Sequence, residues 1–150
     1  MRIVLQRVRQ ARVFIQGLSH AEVGCGFLLL LGIEEQDTQE DVTWLATKVC
    51  SVRVFADDQG KMNLDIHQAK GEVLIVSQFT LYASTKKGNR PSFIKAARPE
   101  HAIPLYTAFI RETERLLGKA CSAGLFGADM QVELLNDGPV TLILDSKNKE

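Results

Sequence analysis

The chain is predicted to form a single α+β domain over 1–150, a mostly antiparallel β-sheet carrying two main helices. Three observations predict it. Apolar, β-branched runs recur at 3–8, 11–16, 27–33, 72–82, 130–135 and 140–144, which is the pattern of strands. Helical spacing of apolar residues occurs in only two places, about 38–50 and 100–117. No Pro/Gly-rich linker, repeat or low-complexity segment divides the 150 residues, a length that suits one domain with its own core.

Taken in order, residues 3–8 and 11–16 read as two strands, and the short link between them suggests a hairpin. Gly24 and Gly26 punctuate the chain before the buried strand 27–33. Thr38-x-x-Asp41 resembles a capping arrangement, with Asp37 and Glu40 favouring the positive helix end. Val42, Leu45, Ala46 and Val49 then follow at helical spacing. Residues 52–55 read as a short strand closed by the turn Asp57-Asp58-Gln59-Gly60. The strongest strand is 72–82, apolar on both faces through Val73, Leu74, Ile75 and Val76, so it belongs at the centre of the sheet. Residues 83–92 are polar, basic and turn-rich, an exposed loop. In the second helix Pro99 suits the first turn and Gly118 the end. Its inner face is expected to be Ile103, Tyr106, Phe109, Ile110, Thr113 and Leu117. Asn136-Asp137-Gly138 reads as the turn of a hairpin joining 130–135 to 140–144. The polar tail 146–150 is expected to fray.

Composition removes several functions. Eighteen basic residues balance eighteen acidic ones, so no global field is available to attract nucleic acid, and any anionic partner needs a local patch. Cys25, Cys50 and Cys121 are odd in number and lack a CxxC pattern, which fits reduced thiols in a cytoplasmic protein. His20, His67 and His101 are scattered, so no motif calls for a metal or another cofactor. Charge interrupts the first eight residues too early for a signal peptide, and the longest apolar run is too short for a membrane span.

Ser77 and Thr80 are the hydroxyls of the strongest strand, yet nothing near them in sequence nominates a base to activate either one. They read equally as ordinary strand residues. A strand end can also free backbone N–H groups to serve as an oxyanion hole. Gly138-Pro139 reads as a turn glycine and a strand-opening proline, trans by default, or as a rigid carbonyl able to receive an ammonium group. Lys86, Lys87, Arg90, Lys95 and Arg98 are the basic concentration of a neutral chain, either a solvated loop or a phosphate-binding one. Phe126 and Met130 are either plain core or a wall for a base or ring.

These segments together resemble the D-aminoacyl-tRNA (D-tyrosyl-tRNA) deacylases. The resemblance is carried by Gly60-Lys61-Met62-Asn63-Leu64, Ser77-Gln78-Phe79-Thr80-Leu81-Tyr82, Thr85-Lys86-Lys87-Gly88 and Arg90-Pro91-Ser92-Phe93. It continues through Phe126-Gly127-Ala128-Asp129-Met130 and Asn136-Asp137-Gly138-Pro139-Val140-Thr141. Ile94-Lys95 depart from the family pattern outside the two signature motifs. The resemblance implies an α+β homodimer with a barrel-like core and an active site at each subunit interface. Ser77, Gln78, Phe79 and Thr80 of one subunit would face a cis Gly138-Pro139 of the other. Phe126 and Met130 would line the pocket for the terminal adenosine, and Lys86, Lys87 and Arg90 would meet tRNA phosphates. The implied reaction is hydrolysis of D-aminoacyl esters, including D-tyrosyl-tRNA and also glycyl-tRNA, in proofreading of translation. Two rivals remain: a non-catalytic nucleic-acid-binding protein using the 86–98 loop, and a generic Ser/Thr esterase.

Overall fold

The computed structural model describes residues 1–149. Its strands are β1 (Arg2–Ile15), β2 (Leu18–Val23), β3 (Gly26–Gly32), β4 (Phe55–Ala56), β5 (Met62–Leu64), β6 (Glu72–Ser77), β7 (Ser122–Ala123) and β8 (Gln131–Asp145). The helices are α1 (Gln39–Ser51) and α2 (Pro99–Leu117), and a 3₁₀ turn, Phe79–Tyr82, follows β6. The main sheet runs β2-β1-β3-β6-β7, with β8 along the opposite edge of β1. β1 pairs antiparallel with β2, β3 and β8, whereas β3–β6 and β6–β7 are parallel. The Ser122 hydroxyl of β7 donates to Glu22 O of β2 at 3.0 Å, and Gly24 N–H donates to the Glu72 carboxylate at 2.6 Å. These bonds draw the two ends of the sheet together into a nearly closed barrel.

The first two predicted strands are one. β1 continues through Arg9 and Gln10, which have no turn chemistry and point to solvent while register shifts move the apolar residues to the other face. Ile3 and Leu5 therefore join Phe27, Leu29, Leu31 and Ile75 beneath the helices. Val8, Ala11 and Val13 join Leu28, Leu74 and Val76 in a second buried cluster. The chain reverses later, at Gln16-Gly17, where both φ values are positive as a two-residue hairpin requires. Similarly, 130–135 and 140–144 do not form a hairpin. Along β8 the β1 partners fall steadily, from Phe14 opposite Gln131 to Arg2 opposite Asp145. The strand never changes direction, and the Asn136-Asp137-Gly138 turn chemistry produces a bulge.

β6 ends at Ser77, short of the predicted Tyr82, because Gln78 leaves the strand conformation and the chain tightens into the 3₁₀ turn. Its Val73–Val76 core is buried on both faces, as expected for a central strand. The predicted strand 52–55 shrinks to Phe55–Ala56, which pairs with the unpredicted β5. On α2 the buried residues are Ala102, Tyr106, Phe109 and Thr113, while Ile103 is 44% exposed and off the inner face. Small Ala102 lies where the helix meets the cavity described below. No helix among the described residues is long and apolar enough to cross a membrane.

The tail is tied down rather than frayed through Lys149, while Glu150 lies outside the described residues. Ser146 N–H donates to Met1 O at 2.9 Å, and Lys147 Nζ reaches Asp41 at 2.8 Å and Asp37 at 3.8 Å. Asp41 also accepts the Thr38 N–H at 2.8 Å, so the predicted capping arrangement forms. Burial would raise the Asp41 pKa, but hydrogen bonds from Lys147, Ser146 and Thr38 outweigh it and hold the carboxyl well below its usual range. Asp145 is shifted the same way: against burial, it accepts bonds from Lys147 N–H and Arg2. A depressed carboxylate stabilises the fold above its unfolded pKa of about 3.9 and loses that contribution as pH falls toward the folded value. Acidification from about pH 6 to pH 3 should therefore lower the melting temperature. In Asp41→Asn the drop should be shallower by on the order of 1 kcal/mol, and melts of both proteins across that range check it.

Candidate active site at the end of the central strand

Where β6 stops, its last residues open into a cavity of about 300 Å³. Ser77, Gln78 and Phe79 form one side, and Phe126, Gly127, Ala128, Asp129 and Met130 the other, over a floor of Leu31, Val76 and Val132. Each wall is fixed by the fold beneath it. Gln78 N–H donates to Leu31 O at 2.8 Å, extending the β3–β6 ladder one residue beyond the strand. Tyr106 donates from its buried hydroxyl to Ile75 O at 3.0 Å and meets the Phe126 ring edge-on, centroids 5.7 Å apart. Burial pushes the Tyr106 hydroxyl up to about 12, so it stays a neutral donor. Met130 is seated against Gly124, where an added Cβ would lie 2.6 Å from its sulfur.

The 3₁₀ turn decides what the strand end offers. Its hydrogen bonding begins with Leu81 N–H to Gln78 O at 3.3 Å. The N–H groups of Phe79 and Thr80 stand ahead of that ladder, as the first donors of a helical turn do; Phe79 lines the cavity, whereas Thr80, expected in the site, does not. The Gln78 side-chain amide donates to Thr80 Oγ1, orienting the hydroxyl. Among the described residues, Thr80 Oγ1 is hydrogen-bonded to the Gln78 amide and to no histidine or carboxylate. Asp129 is the single charged residue on the cavity wall, so the site is apolar with a polar rim.

Gly138 and Pro139 are not among the residues lining this cavity. They lie exposed on the β8 bulge, joined by a cis peptide bond. Four residues there, Asp137 to Val140, stand opposite Arg7 alone. Asn136 closes the bulge by accepting from Val140 N–H at 2.9 Å and donating to Val140 O at 3.3 Å. Arg7, 12% exposed, holds it from below through Asp137 O at 3.0 Å and the Val54 carbonyl, while Arg9 takes the Asp137 carboxylate at 3.1 Å. Sequence reasoning missed Arg7, and it placed Tyr106 on the inner face of α2 without linking it to this cavity. Arg7 is one of four arginines in β1, so the sequence offered no signal that set it apart. Lys86, Lys87 and Arg90 lie exposed on a loop closed by paired bonds between Ser84 and Ser92, at 2.8 and 2.9 Å.

Fold and cavity together define the class: a small α+β barrel with a cleft at the end of its central strand. The chain belongs to the D-Tyr-tRNA(Tyr) deacylase family, whose sequence model matches residues 4–145. It is 59% identical over 150 residues to a D-aminoacyl-tRNA deacylase of Akkermansia muciniphila and 57% identical to one of Bacteroides thetaiotaomicron, each alignment covering both chains completely. A solved structure titled c-Myc DNA unwinding element binding protein superposes with a TM-score of 0.90 at 38% identity, covering 97% of this chain and 98% of its own. A probable eukaryotic D-amino acid tRNA deacylase, 17% identical with a TM-score of 0.81 over 95% of this chain and 97% of its own, shares the fold.

Proposed function

We propose that this protein hydrolyses the ester bond of D-aminoacyl-tRNA, releasing tRNA and the free D-amino acid, and so proofreads chirality in the cytoplasm. The observation that supports this reading is the cavity that Phe79 shares with Phe126 and Met130, at the start of a 3₁₀ turn whose leading N–H groups are those of Phe79 and Thr80. The terminal adenosine would lie against that wall, placing the ester carbonyl oxygen toward the two donors. An aminoacyl ester is already activated, so positioning, oxyanion stabilisation, a water and the neighbouring ribose 2′-hydroxyl suffice without a side-chain nucleophile. Thr80 then orients rather than attacks. Thr80→Ala is expected to slow single-turnover deacylation by about tenfold, worth about 1.4 kcal/mol. Near-complete loss, together with an acyl-enzyme trapped in the wild type, would sink the backbone mechanism.

The chiral filter is assigned to a second subunit. In a homodimer with interface sites, the partner's exposed Gly138 and Pro139 would present backbone carbonyls to the substrate ammonium. With ammonium and carbonyl held, a D side chain projects outward and an L side chain meets the Gly-Pro backbone. Glycine has no side chain to clash and is expected to be cleaved as well. The test is hydrolysis of matched D- and L-tyrosyl-tRNA. The D ester should be cleaved at least about a thousandfold faster, a difference of about 4 kcal/mol, and equal rates would refute the scheme.

The exposed cations Lys86, Lys87 and Arg90, and a structural relative titled a DNA-element-binding protein, favour one rival, non-catalytic nucleic-acid binding. It predicts salt-dependent affinity that is untouched by changes at Gly138 and Pro139. In the deacylase reading the same loop contacts tRNA phosphates.

A further inference from the structure

Phe79 lines the cavity, yet it is 57% exposed. Its ring packs edge-on against Phe93, with centroids 5.0 Å apart at 76°. Next in the chain stands Ile94, 91% exposed and on the tip of a tight turn closed by Ala96 N–H to Phe93 O at 3.0 Å. Turn tips ordinarily carry small or polar residues, so a bare isoleucine beside the exposed Phe79 and half-buried Phe93 calls for a partner. The support beneath is rigid: Ser84 and Ser92 close the loop, and Ala97 N–H donates to Ile33 O at 2.9 Å, just past the end of β3.

The segment itself carries charge of one sign, while Glu34 and Glu35 lie at its base, against Ala96 and Arg98. Residues 73–99 contain no Asp or Glu but carry Lys86, Lys87, Arg90, Lys95 and Arg98. Among the described residues, Lys86, Lys87, Arg90 and Lys95 form no ion pair. Exposed aromatic and apolar surface flanked by unpaired cations is how proteins hold single-stranded nucleic acid: bases stack and phosphates meet the cations. We propose that Phe79, Phe93 and Ile94 form a stacking platform for an unpaired base of an RNA 3′ terminus, the one preceding the adenosine, with Lys95 on its phosphate. This deepens the tRNA reading and rests on it. It adds a recognition surface at the edge of the cavity, reaching from Phe79 to Phe93 and Ile94.

The experiment compares binding of the trinucleotide CpCpA with that of the same trinucleotide lacking its middle base. Wild-type protein should bind the intact form about tenfold more tightly. Ile94→Ser, a surface change that leaves all charges in place, should shrink that ratio to about twofold, and Lys95→Ala should weaken both forms alike. Equal wild-type affinity for the two trinucleotides would overturn the proposal, as would a ratio unchanged in Ile94→Ser. A change in sedimentation of Ile94→Ser in place of the ratio would overturn it too and assign the patch to a second copy of the chain. Deacylation of D-tyrosyl-tRNA is measured separately, so a catalytically inert protein that still discriminates the middle base refutes the deacylase reading and leaves the platform standing.

Discussion

Alanine at position 138 is expected to lower kcat/KM toward D-tyrosyl-tRNA by about a hundredfold or more, equivalent to about 2.7 kcal/mol of transition-state stabilisation. Gly138 has φ of +133°, a region L side chains rarely adopt. A Cβ there would lie 2.7 Å from Val140 Cγ2, 3.0 Å from Val140 N and 3.1 Å from an Arg7 guanidinium nitrogen. None of these neighbours can yield freely. Val140 N is held by Asn136 at 2.9 Å, and Arg7 is held by the Asp137 and Val54 carbonyls. The bulge itself must move, carrying the Gly138 and Pro139 carbonyls with it, and a displacement of about 1 Å at a positioning group costs on the order of a hundredfold. Because the bulge is exposed, the melting temperature should fall much less than the activity. Sedimentation of the variant separates a displaced carbonyl from loss of the proposed dimer. Wild-type turnover by Gly138→Ala would remove this segment from the site altogether.

Phe109→Ala is expected to cost about 3–5 kcal/mol of stability, a large share of the 5–15 kcal/mol that domains of this kind possess. Phe109 is fully buried on the inner face of α2, in one cluster with Phe27, Leu29, Ile75 and the α1 residues Leu45 and Val49. Its removal leaves a cavity at the junction of helices and sheet, which rigid strands cannot close. Urea melts should show a lower midpoint with an unchanged slope. Ile103→Ala on the same helix is the control. Ile103 is 44% exposed, so its truncation should stay within about 0.5 kcal/mol. A comparable loss at both positions would mean that α2 is rotated from the face described.

The clearest readings of the sequence were those that one short segment could decide. α1 was legible because Thr38 and Asp41 cap it and Val42, Leu45, Ala46 and Val49 repeat on one face. The end of α2 at Gly118 was legible for the same kind of reason, a left-handed residue after the last apolar turn. β3 and β6 were visible as apolar runs because both of their faces are covered. β7 was not visible: two residues carry no periodicity, and only pairing with Leu74 and Ile75 makes them a strand. β2 was hidden because its outward residues are polar and only Val23 is fully buried.

The cavity was partly legible. Ser77, Gln78, Phe79, Phe126 and Met130 were all named from sequence, and the fold brings them to one cavity. Arg7 was not named and Tyr106 was named only as a helix core residue, since each acts at the site through a partner more than thirty residues away in the chain. The asparagine-aspartate-glycine segment shows the limit most directly. Turn chemistry at 136–138 states that the chain must bend, and it does so equally in a hairpin and in a bulge. Which of the two forms depends on whether a neighbouring strand continues past it.

By itself, then, the sequence determined the helix boundaries, the buried strands and the identity of the polar groups at the end of β6, because capping, periodicity and burial act within a few residues. The tertiary structure alone decided that β1 and β8 run unbroken, that Gly138 and Pro139 ride on a bulge clasped by Arg7, and that β6 stops at Ser77 and gives way to a 3₁₀ turn at the cavity. Those outcomes follow from hydrogen bonds and packing between segments far apart in the chain, whose energies no local pattern of residues records.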